Sequence, residues 1–158
     1  PFSKIPAIKD GDLILTESVA IIQYILQKYG NGQLQPSVES DDYPIFLQWM
    51  IFGESTMILP IIEILVNTMF RSEENRHQYS IDSATQSFKK IAQSLNPILS
   101  KQDYLLGNQF TAADIVNGYT LRLANRQKLL DDTDGIENVC EYFKRLEGRE
   151  AYQKAVLI

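Results

Sequence analysis

The stretch PFSKIPAIKDGDLILTES, Pro1 to Ser18, decides how the rest of the chain is read. A short apolar run with an embedded proline (Ile5, Pro6, Ala7, Ile8) meets an Asp10-Gly11 turn. A second apolar run (Leu13, Ile14, Leu15) follows, then Thr16-Glu17-Ser18. This is the grammar of two short strands joined by a tight hairpin and leading into a helix. Pro6 cannot donate to a strand ladder, so it marks an edge, a strand start or a bulge. The isomer of the Ile5-Pro6 bond is left open by the sequence. Ser18 reads as the N-cap of a helix running through Val19, Ile22, Ile25 and Tyr29 and stopping at Gly30. Two readings of Glu17 and Ser18 stand side by side. They are a solvated acid and a plain cap, or an anion site at the positive end of the helix.

Outward from this stretch the chain changes character. The segment 31–40 is polar and turn-rich, a natural linker between a first unit, 1–30, and a second, 41–158. Beyond it only helical patterns are found. The longest runs from about Asp41 to Phe70, roughly 45 Å if continuous at the usual helical rise. Pro60 is expected to bend or split it. Tyr43, Phe46 and Trp49 read as core, and Glu54-Ser55-Thr56 reads as a capping or solvated stripe beside the kink, the alternative being a cleft lining. From Ser80 to Ser100, Ile81, Ala84, Phe88, Ile91, Leu95 and Ile98 form one apolar stripe. Thr111 and Asp114 have capping-box spacing, with Phe110 and Ile115 placed as a hydrophobic staple. Asp114 is therefore expected to be structural rather than a catalytic acid. Asp134 and Glu137 repeat the capping pattern. Cys140 reads as an ordinary buried residue and His77 as solvated.

The run Lys4-Ile5-Pro6-Ala7-Ile8, with Asp10-Gly11-Asp12 and Leu15-Thr16-Glu17-Ser18-Val19-Ala20-Ile21, resembles the glutathione-binding half of a cytosolic glutathione transferase. Tyr104-Leu105-Leu106-Gly107-Asn108-Gln109-Phe110-Thr111-Ala112-Ala113-Asp114 resembles that family's LxGxxFTxAD signature. Leu146 to Ala155 resembles its C-terminal helix. The resemblance implies a thioredoxin-like α/β N-terminal part, incomplete here, followed by an all-α helical domain, with glutathione as cosubstrate and no metal. It also implies the roles. The backbone at Ile5, before Pro6, pairs with the cysteinyl part of glutathione. Glu17 and Ser18 hold the γ-glutamyl end, and Lys4 adds charge. It places the family's opening β-α-β unit, with the residue that activates the thiol, upstream of Pro1, so no catalytic residue is named. Conjugation of glutathione to a small hydrophobic electrophile by a homodimer is the activity implied. A glutathione-dependent disulfide reductase and a non-catalytic interaction module are the alternatives.

Composition agrees with this and narrows the rest. At 158 residues and 44% apolar the chain has enough material for a core. A net charge of −5 and a pI near 4.9 argue against a nucleic-acid footprint. One cysteine excludes an internal disulfide and suits the reducing cytoplasm. One His and one Cys cannot build the usual metal site. Gln48, Glu54 and Glu63 interrupt the apolar stretches, so no membrane span is expected.

Overall fold

Gly11 has φ +60°, a conformation that costs glycine little, and there the chain reverses between β1 (Ala7–Asp10) and β2 (Leu13–Thr16). The loop is Gly11-Asp12, with the positive φ at its first position as a type II′ turn requires. The pairing is antiparallel, with Ala7 opposite Thr16, Ile8 opposite Leu15, Lys9 opposite Ile14 and Asp10 opposite Leu13. The computed structural model describes residues 2–3 and 5–157, and these two strands are the only paired sheet among them.

Helix α1 (Ser18–Tyr29) follows β2 after a single residue. Ile21 and Leu26 are buried, and Val19 and Ile22 pack on the common core with Leu26. This burial anchors the N-terminal unit, because a hairpin and one helix bury too little surface to stand alone. The carbonyl of Leu34 accepts from the Ala112 amide at 2.8 Å, so the segment after α1 supplies a partner for an orphan donor at the start of α5 (Ala112–Arg126).

The long apolar run is α2 (Asp42–Phe52) and α3 (Ile58–Leu65), joined by a π-helical turn over Gly53–Met57 and extended by another over Val66–Phe70. Pro60 neither breaks nor ends it. The first π turn lies just N-terminal to Pro60, where the ring would meet the backbone four residues back, and wider winding there relieves that clash. Side chains of α5 (Ala112–Arg126) satisfy carbonyls along the junction: Asn117 Nδ2 donates to Trp49 O (2.8 Å) and Thr120 Oγ1 to Gly53 O (3.3 Å). Because the winding stays continuous, 42–70 is one 29-residue run long and apolar enough, by length and composition, to cross a membrane, contrary to the expectation from sequence. Of its most apolar window 44% is buried within the fold, where Phe46, Met50, Met57 and Ile61 have no exposed surface.

Helix α4 (Gln78–Leu99) packs on α3 and on α6 (Glu137–Glu147). Its buried stripe is Ala84, Phe88, Ala92, Leu95 and Leu99; Ile98, expected inside, is 36% exposed, as Leu99 turns inward instead. His77 is the exposed N-cap residue of α4. Its backbone N–H donates to Oδ1 of fully buried Asn67 (3.0 Å), and its Nδ1 lies 2.9 Å from Ser80 Oγ.

The Thr111–Asp114 capping box forms as expected. The staple does not: Ile115 is 45% exposed, and the Phe110 ring packs edge-on to Tyr104 and under the Arg149 guanidinium. Asp134 and Glu137 do not cap α6. Asp134 pairs with Lys89 and accepts from Gln93 through its carbonyl, while Glu137 accepts from Asn96. The cap comes from α4 instead: Asn96 Oδ1 accepts from the amides of Asn138 (2.8 Å) and Val139 (3.3 Å). The C-terminal segment is likewise two helices, α6 ending at Gly148 and α7 (Glu150–Val156) starting afresh.

Asp114 is fully buried and joins three parts of the helical region. Its Oδ1 accepts from the Leu105 amide (2.9 Å) and the Tyr142 hydroxyl (2.8 Å), and its Oδ2 from the Thr111 amide (2.8 Å). Burial raises its pKa, and these hydrogen bonds pull it back. Asp114→Ala would leave buried donors without partners. We expect it to lower unfolding stability by about 3 kcal/mol in urea denaturation, the scale of a broken buried polar network. A loss under about 1 kcal/mol would show that the hub is dispensable.

Candidate functional site

The register of the hairpin sets the geometry of the site. Ala7 opposes Thr16, so Ile5-Pro6 enters and Glu17-Ser18 leaves at one end of the ladder. Paired strands lie about 4.8 Å apart, so the two dipeptides are neighbours there although eleven positions separate them in sequence. Ile5 is 95% exposed, Glu17 is exposed and Ser18 is half-buried. The Ile5-Pro6 peptide is cis. Lys4, the remaining residue of the expected set, lies outside the described residues.

Ser18 is not the N-cap. Glu17 holds that position, its carbonyl accepting the first helical bond from Ile21 N at 2.9 Å, and Ser18 is the first helical residue. The Glu17 side chain makes no cap hydrogen bond, and the first turn carries no acidic residue. Among the described residues, the opening amides of α1 therefore have no side-chain cap, and the positive end of the helix dipole lies there. Ser18, the first residue of that turn, carries a hydroxyl. The arrangement suits a carboxylate.

Glu17 has φ +70° and ψ 116°. For a residue with a Cβ this is a sparsely populated conformation, and such outliers gather at ligand sites. It lets the chain turn from β2 into α1 within one residue. Nothing in the local sequence announces it, since glutamate is not a residue chosen for positive φ.

Sequence reasoning also missed the cluster behind this corner. Asp10 Oδ2 accepts from Tyr24 OH (2.7 Å), Lys28 Nζ (2.8 Å) and Tyr29 OH, and Lys28 Nζ also reaches Tyr24 OH (2.7 Å). The Lys28 ammonium lies 5.2 Å from the centroids of both tyrosine rings. Hydrogen bonds from Lys28, Tyr29 and Tyr24 hold the Asp10 carboxyl well below its ordinary 3.8, and the carboxylate raises the Lys28 ammonium in return. A carboxyl shifted down stabilises the fold fully above its ordinary value and loses that contribution only as pH falls through the lower, folded one. The pair thus stays charged at neutral and mildly acidic pH. The only sequence signal was the spacing of Tyr24 and Lys28, one turn apart on one helix face.

Glu54, Ser55 and Thr56 fall in the π turn. Ser55 Oγ donates back to Ile51 O (2.9 Å), and Ser55 and Thr56 are exposed. Thr56 lines an open groove of about 430 Å³ with Leu59, Pro60, Glu63, Tyr79 and Ser83. None of Ile5, Pro6, Glu17 or Ser18 lines that groove; their site is a backbone edge suited to an extended ligand. No cluster of three or more His, Cys, Asp or Glu residues placed to hold a metal occurs among the described residues.

Comparison with known proteins follows the same lines. The glutathione S-transferase C-terminal domain matches residues 58–150 and the glutathione S-transferase N-terminal domain matches residues 1–37. Glutathione S-transferase 4 of Zea mays is 30% identical over 122 residues, 73% of this chain and 52% of that protein. Ure2p5 from Phanerochaete chrysosporium, cocrystallized with 1-(S-glutathionyl)-2,4-dinitrobenzene, superposes with a TM-score of 0.85 at 23% identity, covering 97% of this chain and 73% of that one. A glutathione S-transferase-I bound with lactoylglutathione gives 0.86 at 24% identity, covering 100% and 77%. At those identities the two solved structures speak for the fold. The chain spans about half the length of the plant relatives it matches at 30% identity or above.

The backbone at Glu17 offers a direct check. We expect Glu17→Gly to raise unfolding stability by about 1 kcal/mol, because the change removes the Cβ penalty of a positive φ. A destabilised variant in chemical denaturation would mean that Glu17 is held by contacts and not strained.

Proposed function

The chain belongs to the glutathione S-transferase family, and we propose that it supplies the glutathione-holding edge of an enzyme that conjugates glutathione to a hydrophobic electrophile. The observation that carries this reading is the Ala7–Thr16 register, which sets Ile5-Pro6 and Glu17-Ser18 side by side at one end of the hairpin. The tripeptide lies extended along that edge. Its cysteinyl backbone pairs with the exposed main chain of Ile5, a one-residue form of strand addition. Its γ-glutamyl α-carboxylate takes Ser18 Oγ and the uncapped amides of α1, and the Glu17 carboxylate accepts from the neighbouring ammonium. Lys4 adds positive charge near the tripeptide.

The chemistry is nucleophilic substitution at an electrophilic carbon, with the glutathione sulfur as the attacking atom. The thiol gives its proton to water, since the thiolate is the nucleophile. The sulfur lone pair forms the new C–S bond, and with an aryl halide the halide departs with the bonding pair. No residue of this chain is assigned the thiol-activating role. Support for a transferase reaction comes from the named relatives, glutathione S-transferase 4 of Zea mays among them. A homodimer, a cytoplasmic location and the division into units 1–30 and 41–158 joined by 31–40 complete the proposal.

Ser18→Ala in the full-length protein tests the reading. Removing one hydrogen bond to a carboxylate should weaken glutathione binding about tenfold by isothermal titration calorimetry. At saturating glutathione, kcat with a 2,4-dinitrophenyl halide should stay within about twofold, because the lost contact is made equally in the ground and transition states. Unchanged affinity would remove Ser18 from the site and this reading with it.

A further inference from the structure

Asp10 sits at the turn end of β1, away from the dipeptides that form the site, yet it gathers three donors from the second half of α1. The two arms of this corner are matched in length. From Ala7 to Asp10 the strand rises about 10 Å, and from Ser18 to Tyr24 the helix rises about 9 Å. Helix α1 packs against both strands, so it runs back along the hairpin from Glu17. Hairpin and helix are thus joined twice, by the covalent corner at Glu17 and by the hydrogen-bonded cluster about 10 Å away.

We propose that the Asp10–Tyr24–Lys28–Tyr29 cluster is a positioning clamp that fixes the angle at Glu17, and thereby the placement of Glu17 and Ser18 relative to Ile5 for glutathione. The lever arithmetic supports this. A rotation of 10° at the corner moves the far end of a 10 Å arm by roughly 1.7 Å, enough to break every one of these bonds. A strained backbone persists only where its surroundings over-determine it, and the clamp supplies that constraint. The cluster is chemically redundant as a mere salt bridge: an exposed lysine–aspartate pair contributes little alone, while two phenols converging on one carboxylate oxygen give it a fixed direction. The same carboxylate has no role at the ligand edge itself, so Asp10 is a positioning residue.

This inference rests on the glutathione reading, and the experiment separates the two. In full-length protein, Asp10→Ala is compared with wild type by glutathione titration, by steady-state kinetics and by hydrogen exchange at the amides of residues 18–21. We expect Kd and KM for glutathione to rise about fivefold or more, kcat at saturating glutathione to stay within about twofold, and exchange at 18–21 to quicken. Lys28→Arg should keep wild-type affinity, because it retains the charged donor. Should Asp10→Ala fail to fold, the pair Lys28→Met and Tyr29→Phe reads the same clamp from the helix side. Equal affinity and equal exchange in wild type and the clamp variants overturn the clamp. A wild type that binds no glutathione overturns the parent reading instead, and exchange at 18–21 then decides the clamp alone: quicker exchange upholds it and unchanged exchange ends it.

Discussion

One buried carboxylate organises the helical region. Asp114 draws the 104–111 loop, the start of α5 and Tyr142 of α6 onto two oxygen atoms. The loop can approach because Gly107 takes φ +73°, which lets the carbonyl of Gly107 accept from Tyr104 N at 2.8 Å. One residue further, the Ala112 amide reaches back to Leu34, tying the same helix start to the segment that follows α1. A charge in the core is costly unless fully satisfied. Here the hydrogen bonds that satisfy it are also those that set how loop, helices and linker meet.

The hairpin and α1 hang on this frame through Leu26, with Val19 and Ile22 beside it, and their own geometry is set by the corner at Glu17. A turn from strand to helix in one residue leaves the opening amides of α1 and the Ile5 backbone exposed together. The helical region supplies rigidity and the corner supplies the unusual backbone. In a fold of this size, strain at a single residue is affordable only because many ordinary contacts hold the two arms of the corner in place.

Much of this was legible in the sequence, and what was missed has a common cause. The Gly11 turn, the Thr111–Asp114 box and the Phe88 stripe depend on residues close in sequence, so local rules found them. Asn96 capping α6 and Tyr142 completing Asp114 join residues 42 and 28 positions apart, and no spacing rule reaches that far. Asp134 and Glu137 matched a capping pattern, yet Lys89, Gln93 and Asn96 of α4 drew both away from it. The candidate site was legible as a pair of dipeptides. That Ser18 lies inside the helix and Glu17 carries the strain was not, because positive φ in a glutamate leaves no mark in composition or period.

The most direct measurement is an amide chemical-shift map of isotope-labelled full-length protein titrated with glutathione. The expected result is saturable shifts confined to Ile5 and to Glu17, Ser18, Val19 and Ala20, with α5 and α6 unmoved. Saturable binding that leaves these amides still, or that moves the groove walls at Thr56, Tyr79 and Ser83 instead, would contradict a tripeptide held at this corner.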